Sequence, residues 1–387
     1  MRTAKLLSEL IALPSVNPAF APPSSAAART AGLTKFGEKQ VADFLASVAA
    51  HAGLDVELQT VLPDRSNLIA RLLPQKQSRH TIVLAPHLDT VNADDSQFIP
   101  RRKNGRLYGR GACDTKGSVA AMLTALLELA ASKSRPLETE IIFAGLVDEE
   151  HAQAGSRAFV RRSAFRRLRT LCLAIVGEPT RLQVVTAHKG SLWLQLETRG
   201  KAAHGATPWL GDNAVHKMTR IVDVLETDYA RRLRRRKHPL LGPATVNAGT
   251  ICGGTQPNIV PDRCAITIDR RTLPGETEAA VTREIAAFLR AKKLPAKVSS
   301  LKLAPALSLE TDPALPLVRR FMRSIGQSRA ATAKFFCDAA VLSAGGIPSV
   351  VFGPGDVAQA HTTDEWISLT SLERAKNLLL NFLKSLP

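Results

Sequence analysis

Apolar and polar positions follow two different rhythms along the chain, and the change between them near Val185 divides the sequence. Before it, a strand reads at Asn67–Leu72 (NLIARL), and short continuous apolar runs recur at Thr81–Ala85 (TIVLA), Glu140–Val147 (EIIFAGLV) and Leu171–Val176 (LCLAIV). Runs this short and rich in β-branched residues predict strands buried on both faces of a parallel sheet. Helical spacing lies between them. Leu6, Leu7, Leu10 and Ile11 mark a first helix, Gly37–Leu54 a second that ends at Gly53, and the small-residue run Gly117–Ala131 a third. Strand alternating with helix predicts an α/β domain on a mostly parallel sheet. After Val185 the pattern becomes strict alternation, in Ser191–Arg199 (SLWLQLETR) and Cys264–Arg271 (CAITIDRR), as half-solvated antiparallel strands require. Thr245–Ile251 is a further strand, and Asn213–Leu233 and Thr277–Lys292 are amphipathic helices. Two helices on one antiparallel sheet make an inserted α+β lid domain. The first rhythm then returns with a helix at Leu315–Ile325, a helical turn at Ala339–Ala344, a strand at Ser349–Phe352 and a closing helix at Ser371–Leu386. The expected division is 1–185, 186–297 and 298–387, the first and last pieces forming one domain.

A chain of 387 residues at 45% hydrophobic content has material for two cores. It contains no apolar run long enough for a membrane span, and it starts as an amphipathic helix without the apolar segment of a signal peptide. The expected address is the cytoplasm, with no membrane partner. Five scattered cysteines without a CxxC pair read as reduced, buried thiols rather than a disulfide framework or a thiolate metal site. The formal net charge of +18 concentrates in Arg161–Arg169 and Arg231–Lys237. No stacking aromatics interleave these clusters, so they read as a solvated helix face and an exposed connection; the alternative is an inert basic protein that associates with nucleic acid.

The candidate chemistry sits where buried strands end. His87 and Asp89 follow the Thr81–Ala85 run, a spacing that gives a metal-ligating imidazole its own carboxylate partner. Asp114 lies between a Gly-rich turn and the third helix, Glu149 and Glu150 follow the Glu140–Val147 run, Glu178 follows Val176, and His361 lies in the loop after the last strand. In open α/β sheets the carboxyl ends of the strands are where ligands bind. Two imidazoles with several carboxylates and no thiolate make the donor set of a hydrolytic site for two divalent ions. One carboxylate bridging ions about 3.5–4 Å apart, with a His and a terminal carboxylate for each, uses five of His87, Asp114, Glu149, Glu150, Glu178 and His361 and leaves one as base.

The stretches HLDTV, LYGRGACDTKG, VDEE, VGEPT, GKAAHGATPWLGDNA, GGTQPNIVPDRC, IDRRTLPGE and FGPGDVAQAHTTDE cover nearly the whole chain. Together and in this order they resemble the dinuclear-zinc amidohydrolases and metallopeptidases that include acetylornithine deacetylase, succinyl-diaminopimelate desuccinylase, aminoacylase and the carboxypeptidase G enzymes. The resemblance implies that Asp114 bridges two zinc ions, that His87 and Glu178 hold one, and that Glu150 and His361 hold the other. Cobalt or manganese suits the same ligands. It further implies that Glu149 is general base and acid to a metal-bound hydroxide, that Asp89 orients His87, and that His204 donates to the oxyanion, across a homodimer formed through the lid. Asn258 and Arg271 would clamp the substrate carboxylate, with Arg270 facing away by strand alternation. The implied substrate is a small N-acyl amino acid, with a dipeptidase or carboxypeptidase as the second reading. Loops Pro18–Ala31 and Phe335–Asp338 are expected to shape selectivity, Asp338 to lie near His361, and His151, His188, His216 and His238 to be structural or solvated; Lys116 and Lys189 carry no assigned step.

Overall fold

The computed structural model describes residues 2–21, 35–161, 172–301 and 305–387. Most of the Pro18–Ala31 loop, residues 162–169 of the first basic cluster and Leu171 lie outside the described residues. The chain divides into two compact units, one built from Met1–Thr186, Thr311–Ala331 and Cys337–Pro387, the other from Ala187–Glu310 with Thr332–Phe336. The second unit continues past residue 297 because Ala306 bridges back to Ser191, and Leu309 and Glu310 pair antiparallel with His188 and Ala187.

In the first unit the strands lie in the order Asp55–Leu62, Arg65–Leu72, Thr139–Gly145, His80–Pro86, Cys172–Gly177 and Ser349–Val351, whose Val351 pairs with Val185. The four central strands, Thr139–Gly145, His80–Pro86, Cys172–Gly177 and Ser349–Val351, pair in parallel. Their residues are almost all buried, which is why each is apolar throughout. From His80–Pro86 the chain goes first to the neighbour on one side and then to the neighbour on the other, so this strand is a topological switch point. The helix Lys116–Ala130 is buried on nearly every face, sharing a core with Thr3–Ile11, Leu369–Lys384 and the strands. That enclosure explains its small residues: a Cβ at Gly117 would lie 2.5 Å from the Ala112 carbonyl oxygen and 2.7 Å from Ile367. The two outer strands and a small sheet of Arg101–Lys103, Arg106–Tyr108 and Trp366–Ser368 complete the unit.

The second unit has a four-stranded antiparallel sheet in the order Thr245–Gly253, Arg263–Thr272, Gly190–Arg199, Lys297–Ser300. Leu192, Leu194, Leu196, Ile266 and Ile268 pack from it against Met218, Ile221, Val281, Ile285 and Leu289 of the two helices. The first of these helices, read as continuous from the sequence, is Ala214–Val224 followed by a π-helical segment at Leu225–Tyr229 and a short helix Ala230–Arg234. The irregular turn keeps Leu225 and Tyr229 buried. No helix among the described residues is long and apolar enough to cross a membrane.

His188, in the second unit, is fully buried, with Nδ1 on the Lys189 carbonyl at 3.0 Å. Burial pulls its imidazole down from an ordinary 6.5 to about 4. The unfolded chain therefore binds a proton that the folded one excludes; the stability this confers is complete above about pH 6.5 and is lost as pH falls toward 4. Urea unfolding should show about 2 kcal/mol lost from this group by pH 5. His188→Gln should flatten that slope, and an unchanged slope between pH 6.5 and 5 would contradict the assignment.

Candidate active site

Four parallel strands deliver their following residues to one sheet edge. His87 bridges to Leu146 directly after its own strand, Pro86 is level with Gly177, and Glu178 follows Gly177. Glu149 and Glu150 follow the neighbouring strand through Asp148, whose φ of 69° turns the chain back. The last strand leads into the loop that carries His361, itself in the left-handed region at φ 60°. Asp114 arrives by a different route, at the end of the turn from Gly109 that precedes the buried helix.

The six groups converge. Asp114 stands between the two imidazoles, with Oδ1 3.1 Å from His87 Nε2 and Oδ2 3.2 Å from His361 Nε2. Glu178 Oε1 lies 3.8 Å from His87 Nε2, and Glu150 Oε1 lies 3.2 Å from His361 Nε2. Glu149 belongs to a cluster with His87 and Glu178 whose donor atoms are all within 4.8 Å of one another, and His87, Asp114 and Glu150 form a second such cluster. Two donors on one tetrahedral cation with bonds near 2.0–2.1 Å are roughly 3.3 Å apart. The observed spacings fit that figure. Imidazole nitrogen and carboxylate oxygen without thiolate also suit borderline and hard divalent ions.

Charge in the site is strongly unbalanced. Burial, with Glu178, Asp338 and Glu150 nearby, pushes Glu149 well above the ordinary carboxyl range despite His87. Burial and the Asp114 charge do the same to Glu178. Burial also raises Glu150, against its hydrogen bond to His361. Burial works the same way on Asp114, but hydrogen bonds from His361 and His87 outweigh it and hold this carboxyl well below its usual value. Hydrogen bonds to Asp114 and Glu150 carry His361 up to about 10. Despite burial, the carboxylates thus raise the imidazoles that face them, an excess of acid groups that a bound cation would relieve.

Around this cluster lies a frame of polar groups that periodicity does not reveal. Asp89 Oδ1 and Oδ2 accept the backbone N–H groups of Glu149 and Glu150, each at 3.1 Å, while Oδ1 lies 3.4 Å from His87 Nδ1. Asn17 Nδ2 donates to Asp89 Oδ2 at 2.7 Å and to Asp148 Oδ1 at 3.0 Å. Arg65 forms a fork on Glu38 at 2.6 Å through both Nε and Nη2, with Asp148 3.0 Å away, and Glu38 Oε1 accepts the Asp148 N–H at 3.0 Å. Asp338 is buried with Oδ1 accepting from Ser156 Oγ at 2.6 Å, and burial raises it to about 7. Lys116 is buried too, its Nζ donating to the Leu10 and Leu13 carbonyls at 2.9 and 2.7 Å, which makes it a brace for the first helix.

His204, Asn258 and Arg271 belong to the second unit. His204 bridges to Ile259, and the Gly205 N–H donates to the Asn258 carbonyl at 2.7 Å, so these two residues lie on adjoining loops. Ala206 N–H donates to His204 Nδ1 at 3.1 Å, which places the proton of a neutral ring on Nε2. Arg271 Nε pairs with Asp269 Oδ2 at 2.9 Å and its guanidinium lies 5.8 Å from the Phe336 ring centre. Arg270 points the other way, fully buried against Glu276 and Tyr229.

This fold and this cluster define a metal-binding hydrolase. The chain matches peptidase family M20/M25/M40 over residues 83–385, and it belongs to that family. It is 31% identical over 339 residues to acetylornithine deacetylase of Myxococcus xanthus, covering 85% of this chain and 87% of the relative. It is 30% identical over 390 residues to acetylornithine deacetylase of Proteus mirabilis, covering 97% of this chain and 94% of the relative. Among solved structures, aminopeptidase PepT of Bacillus cereus superposes with a TM-score of 0.76 at 22% identity, over 99% of this chain and 97% of that one. A dinuclear metal binding peptidase of Bacillus subtilis superposes with a TM-score of 0.69 at 13% identity, over 99% and 97% of the two chains.

Arg65 supplies the positive charge that two buried carboxylates share. Arg65→Met should therefore destabilise the protein by about 3–5 kcal/mol in urea unfolding, and adding Glu38→Gln should restore a substantial part. A loss within the noise of the measurement would mean that the pair contributes nothing to holding the Asp148 turn.

Proposed function

We propose that this chain is a deacylase that hydrolyses the amide bond of small N-acyl amino acids, as an acetylornithine deacetylase does, at a centre for two divalent cations, zinc in the first instance. The observation that carries the reading is the single Asp114 carboxylate set between a His87–Glu178 pair and a His361–Glu150 pair, one oxygen toward each imidazole. Asp114 would bridge, with His87 and Glu178 holding one cation and His361 and Glu150 the other. The roughly 30% identity to acetylornithine deacetylases over most of both chains supports the choice of substrate class.

Bound cations of this kind supply Lewis acidity and bring a water's pKa to about 7. Glu149, clustered with His87 and Glu178, takes the proton from the attacking water and returns it to the leaving nitrogen. The Asp89 carbonyl lies 3.0 Å from His87 Nδ1, with Asp89 Oδ1 at 3.4 Å, and its carboxylate fixes the backbone of Glu149 and Glu150, so one residue places a ligand and the base together. His204, with its proton on Nε2, donates to the developing oxyanion. Arg271 keeps guanidinium donors beyond the Asp269 contact, and these with the Asn258 amide would bind the substrate carboxylate.

We also propose a homodimer through the second unit. Its strand Thr245–Gly253 lies at the end of the sheet, paired on one side only among the described residues, and Ile251 at 57%, Trp209 at 74% and Leu210 at 59% exposure offer apolar area on the same unit.

Metal-reconstituted protein assayed on N-acetyl, N-succinyl and N-carbamoyl amino acids and on dipeptides should turn over the N-acetyl amino acids fastest; preference for dipeptides would select the peptidase reading instead. Glu149→Ala should lower kcat by roughly 10²–10⁴ with metal content unchanged, and activity surviving in it would remove Glu149 as base. Light scattering should show a dimer that Ile251→Lys converts to monomer; a monomeric wild type would refute the interface.

A further inference from the structure

Glu365 has no place in the donor set, yet its carboxylate is among the most enclosed in the chain, at 1% exposure. It accepts four hydrogen bonds, all from one turn. Oε2 accepts from Arg110 Nη1 at 2.7 Å and from the Gly111 N–H at 3.0 Å, while Oε1 accepts from the Cys113 N–H at 2.8 Å and the Asp114 N–H at 3.0 Å. Two bonds to each oxygen use the acceptor capacity of a carboxylate in full. The turn is shaped to present these donors. Gly111 holds φ at 81°, and a Cβ there would lie 2.9 Å from Lys116 and 3.0 Å from Thr90, so only glycine fits.

The same residue stands four positions after His361. Its neighbours continue the attachment: Gly109 N–H donates to the Glu365 carbonyl at 3.0 Å, Gln97 Nε2 donates to the Thr363 carbonyl at 2.9 Å, and Trp366 pairs with Tyr108. The segment that carries His361 is thereby fixed to the segment that carries Asp114. His361 itself is half-exposed and in the left-handed backbone region, a conformation that a non-glycine residue keeps only when its surroundings impose it.

We propose that Glu365 is a positioning residue that sets Asp114 against His361, and so governs affinity for the cation held by Asp114, His361 and Glu150 more than for the one held by Asp114, His87 and Glu178. Glu178 and His87 follow their own buried strands, so their placement does not pass through the Glu365 turn. The inference rests on the two-cation reading given above.

Metal-depleted protein is titrated with Co²⁺ in a calorimeter, and its thermal unfolding is recorded without metal. Wild type should bind two ions. Glu365→Gln replaces one acceptor oxygen by an amide donor facing N–H groups, and should weaken one site by roughly tenfold or more while leaving the other near its wild-type affinity. Equal weakening of both sites in step with a lower metal-free melting temperature marks a merely structural role and overturns the proposal, as do two unchanged sites. Should Glu365→Gln not fold, Arg110→Gln, which leaves the three backbone bonds, decides: selective weakening of one site supports the proposal and unchanged affinities overturn it. A wild type that binds no Co²⁺ overturns the two-cation reading and this inference with it, whereas two ions bound equally by wild type and variant overturn the inference alone.

Discussion

The structure depends on holding several carboxylates together out of water. Asp114, Glu149, Glu150 and Glu178 stand at one sheet edge, and like charges at such range favour protonation or a counter-charge. Asp114 escapes protonation only because each of its oxygens faces an imidazole. Glu150 shares His361 with it and Glu178 shares His87, so two imidazoles serve a larger number of carboxylates, a demand that divalent cations would satisfy. The protein keeps the crowd in place by spending other polar groups on the backbone rather than on the carboxylates themselves. Asp89 binds the N–H groups of Glu149 and Glu150, Glu38 that of Asp148, and Glu365 those of Gly111, Cys113 and Asp114. Acid groups that fix backbone are thus interleaved with acid groups left open to ligands.

Two of these supports carry their own counter-charge, which accounts for the burial of Arg65 and Arg110. Arg65 answers Glu38 and Asp148, and Arg110 answers Glu365. A guanidinium suits both tasks because its fork can meet both oxygens of one carboxylate, as Arg65 does on Glu38. The two groups interleave along the chain, one joining residues 38, 65 and 148, the other residues 110 and 365. Distant segments are therefore tied into the site by charge, while the parallel sheet supplies only the direction from which the ligands arrive.

The ligands were legible because they occur in a fixed relation to a legible feature. A buried parallel strand is a continuous apolar run, and His87, Glu149, Glu150 and Glu178 follow such runs within four residues. The supports were not legible, since Glu38, Arg65, Asn17 and Glu365 have no period of their own and find side-chain partners 27 to 255 positions away. The outer strand Asp55–Leu62 escaped for a related reason: as an edge strand it is largely exposed, and DVELQTVL lacks a sustained apolar run. The strands Arg101–Lys103, Arg106–Tyr108 and Trp366–Ser368 are only three residues long, too short for any period to show. The π-helical segment Leu225–Tyr229 is equally silent, because its first and last residues still fall on the apolar side.

The second unit shows how far period alone can separate chemistry from structure. Arg270 and Arg271 are the same residue type in adjacent positions, and a strand sends them to opposite faces. Arg270 is consumed by Glu276 and Tyr229 in the core. Arg271 meets Asp269 two residues away on its own face, a contact that orients the guanidinium without enclosing it. The basic run Arg231–Lys237 yields to the same kind of reading: Arg231 pairs with Asp228 and Arg236 with Glu284 at exposed positions, as expected of a solvated helix face. Arg271 shares with Arg231 a single carboxylate contact, but it is the less exposed of the two and lies 5.8 Å from the Phe336 ring centre. A half-enclosed guanidinium held by one carboxylate, with donors to spare, would suit the second carboxylate proposed for the substrate, and the buried, fully paired Arg270 would not.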